Sequence, residues 1–114
     1  MKAHYRTRNN RMTFEIEGAT HKELFKGISE LQDIFEGEDD CGMCGKANIR
    51  FVVRESKKGS QVFAYYELRC QDCGARFDFG QSLVGGSLFP KRKDEEGNYK
   101  PNRGWYKYQP KEEN

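Results

Sequence analysis

Two cysteine pairs of the same form constrain this chain more than anything else in it: Cys41-Gly42-Met43-Cys44-Gly45 and Cys70-Gln71-Asp72-Cys73-Gly74, with 25 residues between Cys44 and Cys70. They account for all four cysteines. Two residues between sulfurs let a tight turn aim both at one ion, and a glycine after the second cysteine supplies the permissive backbone such a turn needs. Each pair is half of a tetrahedral shell.

Other uses of paired thiols fit less well. Residues 1–11 carry Lys2, Arg6, Arg8 and Arg11 with no apolar block behind them, so the reading is of an unexported, cytoplasmic chain in a reducing compartment, where structural disulfides are rare. A redox dithiol would not account for two pairs with the same trailing glycine. One structural Zn²⁺ on Cys41, Cys44, Cys70 and Cys73 is therefore the expected cofactor, although the spacing alone does not separate zinc from iron in the same shell. Four thiolates leave no position for an activated water, so the ion is expected to hold the fold and not to catalyse. Binding deprotonates four thiols around a divalent cation and brings the formal charge of +2 close to neutral.

At these residues the chain resembles the zinc-ribbon family, in which two Cys-x-x-Cys-Gly knuckles are joined by a β-hairpin. The resemblance spans about residues 38–80. It implies a fold and a metal but no task, since zinc ribbons serve transcription factors, ribosomal proteins, polymerase subunits, topoisomerases and adaptors.

A length of 114 residues leaves room for one ordinary domain, and 35% apolar against 33% charged composition describes a small core with a large wet surface. No segment approaches the roughly 20 apolar residues of a membrane-spanning helix, so no membrane partner is expected. The fold class read from the pattern is α+β: a small zinc-ribbon antiparallel sheet, an N-terminal strand and one packed amphipathic helix. Residues 1–11 read as a basic, mobile arm. Residues 12–37 read as a strand–helix unit, in which Met12, Phe14 and Ile16 alternate with polar neighbours. Thr20 and Glu23 form a capping box that starts a helix over 20–36, and Leu24, Phe25, Ile28, Leu31, Ile34 and Phe35 make its core stripe. Gly27 weakens that helix, and Gly37 stands where a left-handed terminal residue belongs.

Between the knuckles, residues 48–55 and 61–69 read as two strands around a turn of Ser56-Lys57-Lys58-Gly59-Ser60. Setting Glu55 opposite Gln61 puts Ile49, Phe51, Val53, Phe63 and Tyr65 on a core face, and Arg50, Val52, Arg54, Ala64, Tyr66 and Leu68 on the other. Residues 76–79 add a third strand. Residues 81–114 hold too many large side chains for a solvating tail, so part of this basic and aromatic segment is expected to pack or bind.

Charge is segregated. Residues 1–11 carry four basic groups and no acid, residues 12–40 two against nine acids, residues 41–80 seven against four, and residues 81–114 seven against five. Rings interleaved with long cations suit unpaired bases and phosphates, which makes single-stranded DNA or RNA the expected partner. The candidate contacts are Arg50, Arg54, Lys57, Lys58, Tyr66, Arg76, Lys91, Arg92, Lys93, Arg103, Trp105 and Tyr106. Lys91-Arg92-Lys93 with the Gly85-Gly86 backbone also suits an isolated phosphate. The helix carries Glu23, Glu30, Asp33 and Glu36, and a phosphate-lined groove would repel it.

No enzyme is expected: His4 and His21 neighbour no nucleophile, and Glu36, Glu38, Asp39 and Asp40 read as a solvated turn. Residues 85–108 look like the C-terminal segment of small zinc-ribbon proteins encoded in bacteriophage genomes, which implies action on nucleic acid or on host machinery that handles it. The rival reading is an adaptor that docks on a host protein or self-assembles, suggested by an acidic helix beside basic flanks.

Overall fold

The structure, a computed structural model, describes residues 1–82 and 86–109. The fold is α+β, with one α-helix and two antiparallel sheets among the described residues. No helix among them is long and apolar enough to cross a membrane. The chain divides into two compact units, Met1–Glu38 and Asp39–Asn114.

The first unit is a hairpin and a helix. Strand β1 (Lys2–Arg6) pairs with β2 (Thr13–Glu17), Tyr5 opposite Phe14 and Ala3 opposite Ile16. The expected mobile arm is thus a paired strand. Its alternation of Ala3 and Tyr5 with Lys2, His4 and Arg6 is that of a strand wet on one face, hidden in the sequence by basic composition. Helix α1 (His21–Phe35) starts as read: Thr20 accepts from the Glu23 amide at 3.2 Å, and the Glu23 carboxylate accepts from the Ala19 amide at 2.5 Å. It ends differently. Glu36 donates its amide back to Gln32, and Gly37 does not take a left-handed conformation.

The helical stripe is half-buried, not sealed: Leu24, Ile28, Leu31, Ile34 and Phe35 are partly covered, and Phe25 is 78% exposed and outside the core. Phe14 and Phe35 meet at 5.0 Å, and a Cβ on Gly27 would lie 3.0 Å from Ile16. Gly27 therefore lets the helix backbone approach the hairpin, a packing gain set against its propensity cost of about 1 kcal/mol.

The second unit is a twisted ribbon of strands β3 (Ile49–Lys58), β4 (Gln61–Cys70), β5 (Ala75–Gln81) and β6 (Leu88–Pro90), with β7 (Tyr106–Lys107) on β5. The register of β3 and β4 overturns the expected facing. Ile49 lies opposite Cys70 and Lys58 opposite Gln61, so only Gly59 and Ser60 form the loop. Gly59 has φ 61°, the first-position glycine of a two-residue hairpin whose twist matches that of its strands. Ser56, Lys57 and Lys58 therefore extend β3 where a turn was expected.

That odd-numbered shift swaps one strand's faces relative to the other. Phe51, Val53, Phe63 and Tyr65 are exposed and do not form the core. The core lies where Leu68, Cys70, Ala75, Phe77 and Phe79 share a face, closed by Trp105, whose ring sits 5.6 Å from Phe77. The C-terminal segment packs there: Lys91 donates to the Asp78 carbonyl at 3.0 Å, and the Arg92 guanidinium lies 5.5 Å from the Phe77 ring.

Candidate functional site

The two knuckles are conformational copies. Gly45 and Gly74 take φ of 78° and 77°, and each donates its amide to the carbonyl of the first cysteine of its pair, at 2.8 and 2.9 Å. The glycines do what the spacing predicts, because a side chain in this left-handed conformation is strained. Cys70 ends β4 and Cys73 precedes β5, while Cys41 and Cys44 are brought across by the Gln71 amide, which donates to Asn48 at 2.8 Å.

All four Sγ atoms fall within 4.8 Å of one another, with Cys41–Cys73 at 3.6 Å and Cys44–Cys70 at 3.5 Å. Four sulfurs at about 2.3 Å from a tetrahedral ion stand roughly 3.8 Å apart. The cysteines are free thiols, and a bonded pair would be at about 2.05 Å. The cluster can hold a metal ion.

The electrostatics of the cluster suit a cation. The Ala75 amide and the other three thiols pull Cys73 down to about 6. The Lys46 amide favours the Cys44 thiolate, but burial and the three neighbouring sulfurs outweigh it and push Cys44 up to about 12. Burial raises Cys41 as well. The Cys73 thiolate forms readily, while Cys41 and Cys44 resist until a positive charge arrives.

The first knuckle is locked to the C-terminal segment. A Cβ on Gly42 would lie 2.4 Å from the Asn102 carbonyl oxygen and 2.6 Å from the Trp105 ring. Asn102 and Arg103 take positive φ of 55° and 59°, uncommon for residues with side chains. They are held by Asn102 Nδ2 donating to Met43 Sδ at 3.1 Å and Arg103 donating to Asp40 at 2.9 Å.

One face of the second sheet gathers arginines and rings. The register sets Arg50 opposite Arg69, Arg54 opposite Tyr65, and Ser56 opposite Phe63, with Arg76 opposite both Arg69 and Tyr106. Phe89 lies opposite Gly80 on the same face, where a Cβ would be 2.2 Å from its ring. Phe63, Tyr65, Phe89, Tyr106 and Tyr108 are all exposed. Arg54 stacks on Tyr65 at 4.6 Å and Arg76 on Tyr108 at 3.6 Å.

At the centre of this face Glu67 is only 3% exposed. It takes Arg54 Nε at 3.2 Å, Arg69 Nε at 2.9 Å and Arg76 Nε at 3.3 Å. Burial alone would raise the Glu67 carboxyl, but hydrogen bonds from Arg69 and Arg54 and the surrounding positive charge bring it below the ordinary range. Tyr106 donates to both oxygens of Asp78 at 3.0 Å; burial, then the Asp78 charge, pushes its own hydroxyl up to about 12.

The predicted contact residues separate. Arg50, Arg54, Lys58, Arg76 and Tyr106 share the arginine face. Lys57 and Tyr66 point to the opposite face, against the expectation, because they pair with Val62 and Val53 in the observed register. Trp105 is 2% exposed and cannot stack on a base. Arg103 is engaged with Asp40, and Arg92 covers Phe77. Lys91 and Lys93 border an open cleft of about 480 Å³ with Phe89 and Tyr99. Of the suggested glycine cradle, Gly85 lies outside the described residues.

Reading the sequence missed Arg69, Tyr65, Tyr108 and Glu67. The signal was present: taking Gly59-Ser60 as a two-residue loop pairs Arg54 with Tyr65 and Arg50 with Arg69 by arithmetic. The acid run before the first knuckle also departs from expectation, since Glu36 is buried. Comparison with protein-family models, with curated proteins and with solved structures gives no match.

Proposed function

We propose that the chain is a non-enzymatic zinc-ribbon module that binds single-stranded nucleic acid on its arginine–aromatic face. The observation that carries this reading is the convergence of four arginines and five exposed rings on one side of one sheet. Rings stack on unpaired bases with little regard to sequence, and guanidiniums neutralise phosphates. The two acids of that face, Glu67 and Asp78, are already engaged by arginines and by Tyr106. Zinc is the ion of choice for four cysteines in a closed tetrahedral shell, and with every ligand position filled by sulfur it serves the fold.

Fluorescence anisotropy with labelled single-stranded DNA and RNA tests the reading. Micromolar binding is expected, weakening about 50-fold between roughly 50 and 200 mM salt if four phosphates are neutralised at a slope near −0.7 each. Duplex is expected to compete poorly, because the one helix among the described residues carries Glu23, Glu30 and Asp33, which a phosphate-lined groove repels, and paired bases offer the exposed rings no free face. Absence of binding at the lower salt contradicts the reading and leaves the adaptor role as the better account.

A further inference from the structure

We propose that Arg54, Arg69 and Arg76, gathered on the buried Glu67, form a discrete phosphate-binding centre in which Glu67 is the positioning residue. As to its natural ligand the proposal rests on the single-strand reading; as to its chemistry it stands on geometry alone.

A buried carboxylate is neutralised by one cation. Glu67 has three, and Arg50 stands directly opposite Arg69 as a fourth. Like charges placed opposite one another across a sheet are destabilising, so the excess calls for an anion that is not part of the sheet. Four guanidiniums against Glu67 and Asp78 leave two positive charges over, and Tyr106 further occupies Asp78.

The way the cluster is tied matters as much as its charge. The hydrogen bonds of Arg54 and Arg69 to Glu67 run from Nε, which frees the paired terminal nitrogens of each fork for an outer ligand. Stacking on Tyr65 and Tyr108 restrains Arg54 and Arg76, so their planes are set before a ligand arrives. Side-chain exposure rises from 15% at Arg76 to 32% at Arg69 and 46% at Arg54, which opens the centre to solvent on one side. Converging forks of this kind suit a tetrahedral phosphate, which offers oxygens in several directions where a carboxylate offers two in a plane.

The site separates from bulk attraction by a reversal of sign. Removing a negative charge ordinarily tightens a polyanion, yet Glu67→Gln should weaken oligonucleotide binding, because the forks lose their anchor. Arg69→Lys keeps the charge but cannot serve Glu67 and a phosphate through one planar fork, so a loss of about tenfold is expected.

The wild-type holoprotein provides the measurement that folding cannot confound: its arginine Nε–H resonances are followed by NMR while inorganic phosphate is added. Saturable shifts at Arg69 and Arg76 support the centre, and their absence overturns it. Oligonucleotide binding that both variants leave unchanged overturns the centre while sparing the wider function. Saturable phosphate shifts without oligonucleotide binding support the centre and overturn that function. Comparing 5′-phosphorylated with unphosphorylated strands then tells a terminal from an internal phosphate.

Discussion

Among the described residues each unit buries one glutamate, and the two are held in opposite ways. Glu36, 5% exposed, receives the Tyr5 hydroxyl and the Arg8 amide, with the Arg8 guanidinium at 3.8 Å and Gln32 supporting Tyr5 at 3.0 Å. Glu67 receives three guanidiniums. Burial opposes ionisation of both, and both nevertheless lie below the ordinary carboxylate value of 4.5, the first through hydrogen bonds mainly from neutral groups, the second through positive charge. A network of mainly neutral donors with a single cation ties helix to hairpin and carries no surplus charge. A network of surplus cations leaves something over for a partner.

The largest test is to remove the ion. Because β4 ends in one knuckle and β5 begins after it, chelation should release the strands that hold Glu67. The apparent binding free energy lost is about 10 kcal/mol. Trp105, buried against the first knuckle, reports it as a red shift of emission on adding chelator; an unchanged spectrum would contradict this. The same burial predicts little change in Trp105 emission when oligonucleotide binds.

The paired substitutions Glu67→Gln and Glu36→Gln come next. Breaking a buried ion pair costs about 3–5 kcal/mol, reduced to about 2 because Arg54 and Arg69 reach solvent. Glu36→Gln weakens hydrogen bonds for about 1 kcal/mol. Urea midpoints measure both, and only Glu67→Gln should alter oligonucleotide affinity. Equal effects on affinity would erase the contrast between the two networks. Tyr65→Ala should cost about 1.5 kcal/mol of binding with little effect on stability, since its ring is exposed.

Acid titration sharpens the comparison further. Both carboxyls are depressed, so each contributes stability that is present above 4.5 and is lost as pH falls through its lowered value. Each Gln variant should flatten the acid limb of the stability curve, measured by denaturant titration at several pH values. A wild-type slope retained in both would contradict the assignment. The smallest expected effect is Asp40→Asn, under about 1 kcal/mol, because its pair with Arg103 is exposed on both sides.

What could be read in advance was local. The Thr20–Glu23 cap, the alternation of β2 and the left-handed glycines after each cysteine pair depend on a few adjacent residues, and they appear where the chemistry places them. The metal ligands were legible for the same reason. What escaped depends on register or on tertiary cover. Ser56-Lys57-Lys58 reads as a turn because it is polar, but polar residues suit an exposed ribbon equally well, and the resulting error flipped the faces that decide whether Tyr65 or Tyr66 joins the arginines. Trp105 beside Tyr106 gives no hint that one is sealed under a knuckle and the other faces outward; that follows only once Gly42 is seen to admit the indole. Glu67 carries no local signal at all: only the register that gathers three arginines on it reveals the site.

Everything on the second unit presupposes one ion shared by Cys41, Cys44, Cys70 and Cys73. Elemental analysis of tag-free protein, combined with thiol alkylation before and after chelation, asks this directly. One equivalent of zinc per chain, with all four thiols protected until the chelator is added, is the predicted result. Four thiols that alkylate at once in protein free of stoichiometric transition metal would contradict it.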